Sequence, residues 1–202
     1  MTIGVTGNIG SGKSTVSGVF KEFGAPVIEG DLLGREVVEQ SSEFREWLRK
    51  RFGSSIFSKG VLDRSELGRI VFRDSSARED LDKKIWPCIR EKLEHRISIA
   101  HAAGKIAVID AALIYEWNDA SRYDLVITVV CDIETALQRA ANRLNLSIDE
   151  MKNRNNMQLP QDEKAKRAKY VIKNEGTLMQ LQEHAKDLWL DKIVPLTDKN
   201  IR

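Results

Sequence analysis

The sequence predicts an α/β fold: a parallel five-stranded sheet flanked by helices, with a mostly helical insertion in one long connection. Three observations predict it. Short runs rich in Val and Ile alternate with helical spacings of apolar residues, the pattern of strands joined by crossover helices. The first run ends in a glycine-rich turn that leads directly into an amphipathic helix. Two connections are also far longer than the dozen or so residues a parallel crossover requires, so extra elements are inserted there.

The elements follow in order. Residues 3–6 are an apolar run stopped by glycine, which suits a buried parallel strand. From Ser14 the spacing changes: Val16, Val19, Phe20 and Phe23 fall on one helical face, and Gly24 supplies the stop. Residues 26–29 read as the second strand, 106–111 and 124–131 as the third and fourth, and 170–172 as a short fifth. Helical patterns occupy 133–143 and 177–190.

Between the second and third strands lie 76 residues, 30–105, mostly helical in pattern. They end in a long helix with Leu81, Ile85, Ile89, Leu93 and Ile97 at steps of four. Pro87 should kink that helix or mark a fresh start. This stretch is either extra packing around the core or a helical subdomain that holds a second substrate. The other long connection, 132–168, is basic. Residues 139–173 hold nine Lys/Arg against four Asp/Glu, a net +5, while the rest of the chain carries 23 against 26. A local anionic ligand explains that segment better than a polyanion track.

The whole-chain balance agrees. With 32 basic against 30 acidic side chains the 202 residues carry +2, so neither nucleic acid nor a membrane surface is an expected partner. The apolar runs are too short to span a bilayer, and no basic segment precedes an apolar stretch at the N-terminus, so no secretory signal is expected. Cys88 and Cys131, 43 positions apart, exclude a disulfide scaffold and a cysteine-based zinc site. There is no repeat, low-complexity segment or glycine/serine linker. A soluble, cytoplasmic protein is expected.

Gly7-Asn8-Ile9-Gly10-Ser11-Gly12-Lys13-Ser14 fits G-x-x-x-x-G-K-[ST] in full, with a strand before it and a helix after it. Glycines let the backbone turn tightly, so that successive N–H groups point at phosphate oxygens. The following helix adds its positive N-terminal end. In such a loop the lysine, here Lys13, reaches the β/γ-phosphates, and the hydroxyl of Ser14 ligates Mg²⁺. Asp110 closes a hydrophobic strand, where P-loop proteins place the carboxylate that holds the metal; the alternative is a turn residue or helix cap. Asp31 directly follows the second strand. At that carboxyl end it is placed either to take the proton of an attacking hydroxyl or to cap the next helix.

At this point the chain resembles the dephospho-CoA kinases. The P-loop extends through Thr15. Gly24-Ala25-Pro26-Val27-Ile28-Glu29-Gly30-Asp31, with Arg35, is similar to the family's Gly-Ala-x-x-Ile-Asp-Ala-Asp-x-x-x-Arg. Asp110-Ala111-Ala112-Leu113-Ile114-Tyr115-Glu116 resembles its acidic-x-Pro-Leu-Leu-Phe-Glu segment. Arg139 and Arg143, then Arg154 and Gln158, fall at its lid spacing, and Asn174-Glu175-Gly176 looks like its Asn-Asp-Gly turn. The resemblance implies a P-loop NTPase-type core over 1–29, 106–138 and 166–202, a helical acceptor region over 30–105 and a lid over 139–165. It implies ATP with Mg²⁺, and dephospho-CoA as acceptor, phosphorylated on the 3′-hydroxyl of its ribose.

Carried over residue by residue, Asp31 matches the family's general base, and Lys13 and Ser14 its phosphate and metal ligands. Asn8, Ile9, Gly10, Ser11, Gly12, Lys13, Ser14 and Thr15 match its ATP-binding loop. Arg139 and Arg143 match lid arginines that meet ATP phosphates or stack on adenine, with the assignment between them open. Asn174 borders the adenine pocket. Arg35 either binds acceptor or pairs with Glu39 four residues on.

Four positions depart from the family pattern: Trp86 stands for His, Lys169 for Asp, Ala112 for Pro, and Glu29-Gly30 for Asp-Ala. The three histidines, His95, His101 and His184, read as surface residues. Competing readings are another small-molecule or nucleotide kinase on the same core, and a nucleotide-binding switch. The second is disfavoured. Asp31-Leu32-Leu33-Gly34 spells D-x-x-G, but too soon after the P-loop, and no N-K-x-D guanine-reading motif occurs.

Overall fold

The apolar runs pair into one parallel sheet in the computed structural model of the chain, which describes residues 1–199. Its strands are β1 (Thr2–Thr6), β2 (Val27–Glu29), β5 (Ala107–Asp110), β6 (Leu125–Val130) and β7 (Tyr170–Lys173), in the order β2-β5-β1-β6-β7. All five residues of β1 are buried, as a central strand covered on both faces must be. β2 is one residue shorter than the apolar run. Pro26 has no amide to give the ladder, although its carbonyl accepts from Val108 N at 3.0 Å. The register brings strand ends level: Val5 pairs with Asp110 and with Ile127, and Glu29 pairs with Asp110.

The chain divides into two units, Met1–Glu29 with Ile97–Arg202, and Gly30–Arg96. In the first, α1 (Lys13–Glu22) and α9 (Leu178–Leu188) bury their apolar stripes on the sheet. Val16, Val19 and Phe20 meet Ile3, Val5, Ile127, Leu181 and Trp189 in one cluster. The Phe20 and Trp189 rings lie 4.8 Å apart, and burying a side chain of that size is worth about 1.5–3 kcal/mol. Phe23 lies just past the end of α1, 40% exposed, and stacks on the same Trp189. Past α9 the helix runs through one π turn, Trp189–Ile193, into α10 (Val194–Lys199).

The second unit contains α2 (Gly30–Gln40), α3 (Ser42–Phe52), α4 (Arg64–Arg73) and α5 (Ser75–Ala102) as far as Arg96. Ser41 and Asp63 cap α3 and α4 by accepting first-turn amides. A small hairpin, β3 (Phe57–Ser58) with β4 (Val61–Leu62), interrupts the helical pattern expected there. Lys59 and Gly60 both have positive φ, 48° and 80°, as a two-residue hairpin turn demands. Two-residue strands are too short to show alternation in sequence.

Pro87 does not restart the long helix: α5 runs unbroken over 28 residues. Lys83, whose carbonyl loses its amide partner to the proline ring, and Pro87 itself are both exposed, so water can satisfy that carbonyl. The buried stripe, Ile89 and Leu93, is untouched. Trp86 is half-buried, with the Arg90 guanidinium 5.5 Å from its ring centre. Among the described residues no helix is long and apolar enough to cross a membrane.

Candidate active site

β1 delivers the chain to Gly7, and the loop turns through Gly10 (φ 77°) and Gly12 (φ 98°) into α1 at Lys13. Both glycines are required twice over. Positive φ disfavours any side chain, and neighbours fill the space. A Cβ on Gly10 would lie 1.9 Å from the Ala136 carbonyl oxygen, and one on Gly12 2.6 Å from Asn174 Nδ2. Asn174 in turn is buried and donates its Nδ2 to the Ser11 carbonyl at 2.9 Å, so the turn after β7 braces the loop.

The loop opens on a cleft of about 260 Å³ lined by Gly10, Gly12, Lys13, Ser14, Thr15, Arg139, Arg143 and Asn174, with Ala140, Leu178 and Leu181 as its apolar wall. Arg139 and Arg143 stand on α6 (Ile133–Leu144), one turn apart on one face. That face belongs to the cleft, so the charge pair is more than a solvated surface. Asp132 fixes the start of α6 by accepting Thr135 N at 2.9 Å, and Asn145 ends it in the left-handed conformation (φ 52°). Arg139 Nη1 reaches Cys131 Sγ at 3.5 Å. Burial pushes the Cys131 thiol up, outweighing the pull of Arg139, so it stays neutral. Three or more phosphate charges could be met here by one lysine, two arginines and a helix N-terminus.

The remaining expected residues are not among those lining this cleft. Asn8 and Ile9 turn toward α7 (Ile148–Asn156) and the segment after it: Asn8 Nδ2 donates to Asn155 Oδ1 and to the Leu159 carbonyl, and Ile9 N donates to Gln158 Oε1. Ser11 is almost fully buried and offers its carbonyl to Asn174. Asp110 ends β5, 6% exposed. Asp31 and Arg35 belong to the second unit, both exposed. α2 begins at Gly30, so Asp31 lies in its first turn rather than at the preceding cap. Arg35 crowds Arg64, whose guanidinium is lowered by burial and by that like charge while Glu39 pulls it back.

For a metal, Ser14 and Asp110 offer a hydroxyl and a carboxylate, oxygen donors that fit a hard cation drawing its other ligands from phosphate and water. Among the described residues no cluster of three or more His, Cys, Asp or Glu would build an all-protein cage.

One buried charge has no signal along the chain. Lys164, on α8 (Gln161–Arg167), is fully buried; its Nζ donates to the Ala112 carbonyl at 2.7 Å and pairs with Glu116 Oε1 at 2.8 Å. The same Glu116 oxygen accepts Leu159 N at 2.8 Å. Thr6 Oγ1 also donates to the Ala112 carbonyl, at 3.1 Å. The Ala-for-Pro departure at 112 is harmless at this contact, because only the carbonyl is used. Burial pushes the Lys164 ammonium below the ordinary lysine range, Glu116 opposes this, and the nearby Lys13 charge adds to it. Glu116→Ala strands that ammonium and should cost about 3–5 kcal/mol. Adding Lys164→Met should recover part of the loss, and urea denaturation of the single and double variants measures both.

A parallel sheet flanked by helices, with a glycine loop at the end of its central strand and a basic cleft over that loop, marks a P-loop phosphotransferase. The family model described as dephospho-CoA kinase matches residues 1–180. Dephospho-CoA kinase of Geobacter sulfurreducens is 40% identical over 189 residues, 93% of this chain and 96% of that protein. Among solved structures, TT1252 from Thermus thermophilus matches with TM-score 0.81 at 32% identity, covering 95% of this chain and 97% of that one. Dephospho-CoA kinase from Campylobacter jejuni matches with TM-score 0.71 at 25% identity over 98% of both chains. The chain belongs to the dephospho-CoA kinase family.

Proposed function

We infer that the protein transfers the γ-phosphoryl of ATP to the 3′-hydroxyl of the ribose of dephospho-CoA, giving CoA and ADP, the last step of coenzyme A synthesis. The observation that carries this reading is the convergence of Lys13, Arg139, Arg143 and Asn174 on the P-loop cleft in a chain of that family. The roles follow from chemistry. Amides of Gly10–Thr15 and the Lys13 ammonium hold the phosphates, Arg139 and Arg143 meet developing charge or the base, and Asn174 borders the adenine. Ser14 and Asp110 would hold Mg²⁺, which would supply charge neutralisation at the phosphates. Arg35 binds acceptor.

Asp31 accepts the hydroxyl proton. Phosphoryl transfer through a loose transition state leaves little covalent work to the protein, so positioning and charge neutralisation dominate and the proton leaves late. The α6 arginines closing over the nucleotide would exclude water that otherwise hydrolyses ATP. The same reading expects a cytoplasmic protein with no nucleic acid or membrane partner.

The test is direct. Protein, Mg-ATP and a panel of acceptors (dephospho-CoA, adenosine, nucleoside monophosphates, shikimate-like alcohols) are incubated, and the products weighed by mass spectrometry. Phosphorylation of dephospho-CoA in clear preference is expected; preference for any other acceptor overturns the assignment.

A further inference from the structure

Within the G-x-x-x-x-G-K-S loop the amide of Ile9 does not face the cleft; it donates to Gln158 Oε1 at 2.9 Å. Beside it, the buried Asn8 side chain donates to Asn155 Oδ1 at 3.0 Å and to the Leu159 carbonyl at 3.2 Å. The Ile9 side chain packs against the cluster of Leu137, Ala140, Ala141 and Met151, shared by α6 and α7. Two loop residues therefore belong to the root of the lid rather than to the phosphate cradle. That root is itself held: Gln158 N bonds the Asn155 carbonyl at 2.9 Å, and Leu159 N bonds Glu116.

We propose that Gln158 is a positioning residue for the phosphate cradle: by accepting the Ile9 amide it locks the first half of the loop away from phosphate, so that Gly10 onward points inward, and the buried Glu116–Lys164 pair holds residues 158–159 where they can do this. The proposal rests on the reading of the P-loop as the ATP site. A glycine-rich loop has many backbone states, and an amide released from Gln158 is free to turn into the cradle or out to water. Holding it from outside removes those alternatives before the nucleotide arrives, which raises affinity for phosphate without touching phosphate.

The experiment uses the whole chain with Gln158→Leu, which keeps bulk and loses the acceptor, and Gln158→Glu, which keeps an acceptor. Two readouts are taken: hydrogen exchange of the Ile9 amide, and titration with a non-hydrolysable ATP analogue and with adenosine. Gln158→Leu should expose the Ile9 amide to exchange and weaken the analogue roughly tenfold, the worth of one hydrogen bond. Adenosine, which has no phosphate, should bind as in wild type. Gln158→Glu should keep the amide protected. Equal losses for analogue and adenosine would mark a merely structural residue and overturn the proposal, as would unchanged affinity for both. A wild type that binds no ATP analogue would sink the P-loop reading instead, while the exchange of Ile9 still decides whether Gln158 holds the loop.

Discussion

Asp31→Asn should lower kcat by about 10²–10⁴-fold, the usual worth of a general base, and toward the lower end of that span. A loose transition state leaves the attacking hydroxyl protonated until late, so the base works on only part of the barrier. Asparagine keeps the size of the side chain and an oxygen but cannot take the proton. Affinity for an ATP analogue should not change, because Asp31 is assigned to the acceptor. Stability should fall little. The residue is exposed in the first turn of α2, where a carboxylate favours the helix N-terminus by about 0.3–1 kcal/mol. Steady-state kinetics with a melting curve on the Asn and Ala variants measures all three. Turnover near wild type in Asp31→Asn would remove the residue from the mechanism and leave it only a charge at a helix end.

Lys13→Ala should lose at least about 10²–10³-fold in kcat, the cost of removing one preorganised charge from a transition state. Here the expected stability change has the opposite sign to the usual one. Lys13 is only half-buried and fills no core, and its charge disfavours the buried ammonium of Lys164. Its removal should leave the melting temperature unchanged or slightly raised, as happens where active-site charges are crowded at the expense of stability. Normal turnover in the folded variant would contradict the phosphate role. A lower melting temperature would contradict the electrostatic account.

The two variants together separate the acceptor side from the donor side. Asp31→Asn should spare nucleotide binding, and Lys13→Ala should not. Arg139 and Arg143 lie between these extremes. Both line the cleft, yet Arg139 also touches Cys131, so its removal alters a half-buried neighbourhood as well as a charge.

The sheet and the glycine loop were legible in the sequence because each is a local pattern. A buried parallel strand is a continuous apolar run, as in Leu125–Val130, and a phosphate loop is a fixed spacing of glycines before a helix. The basic 139–173 segment stood out by its charge alone, and two of its arginines, Arg139 and Arg143, line the cleft. What lay hidden is non-local. Lys164 sits in a run of charged residues, Asp162 to Arg167, that reads as a solvated helix. Only folding places Glu116 and the Ala112 carbonyl, some fifty residues earlier, around its ammonium. Likewise Asn8 and Ile9 match the phosphate motif by spacing, but Gln158 and Leu159 take up their donors. Spacing along the chain fixes which backbone groups can turn together. Which of them meets a ligand and which a neighbouring element is decided by hydrogen bonds between residues more than a hundred positions apart, and buried donors must find those partners whatever the motif suggests.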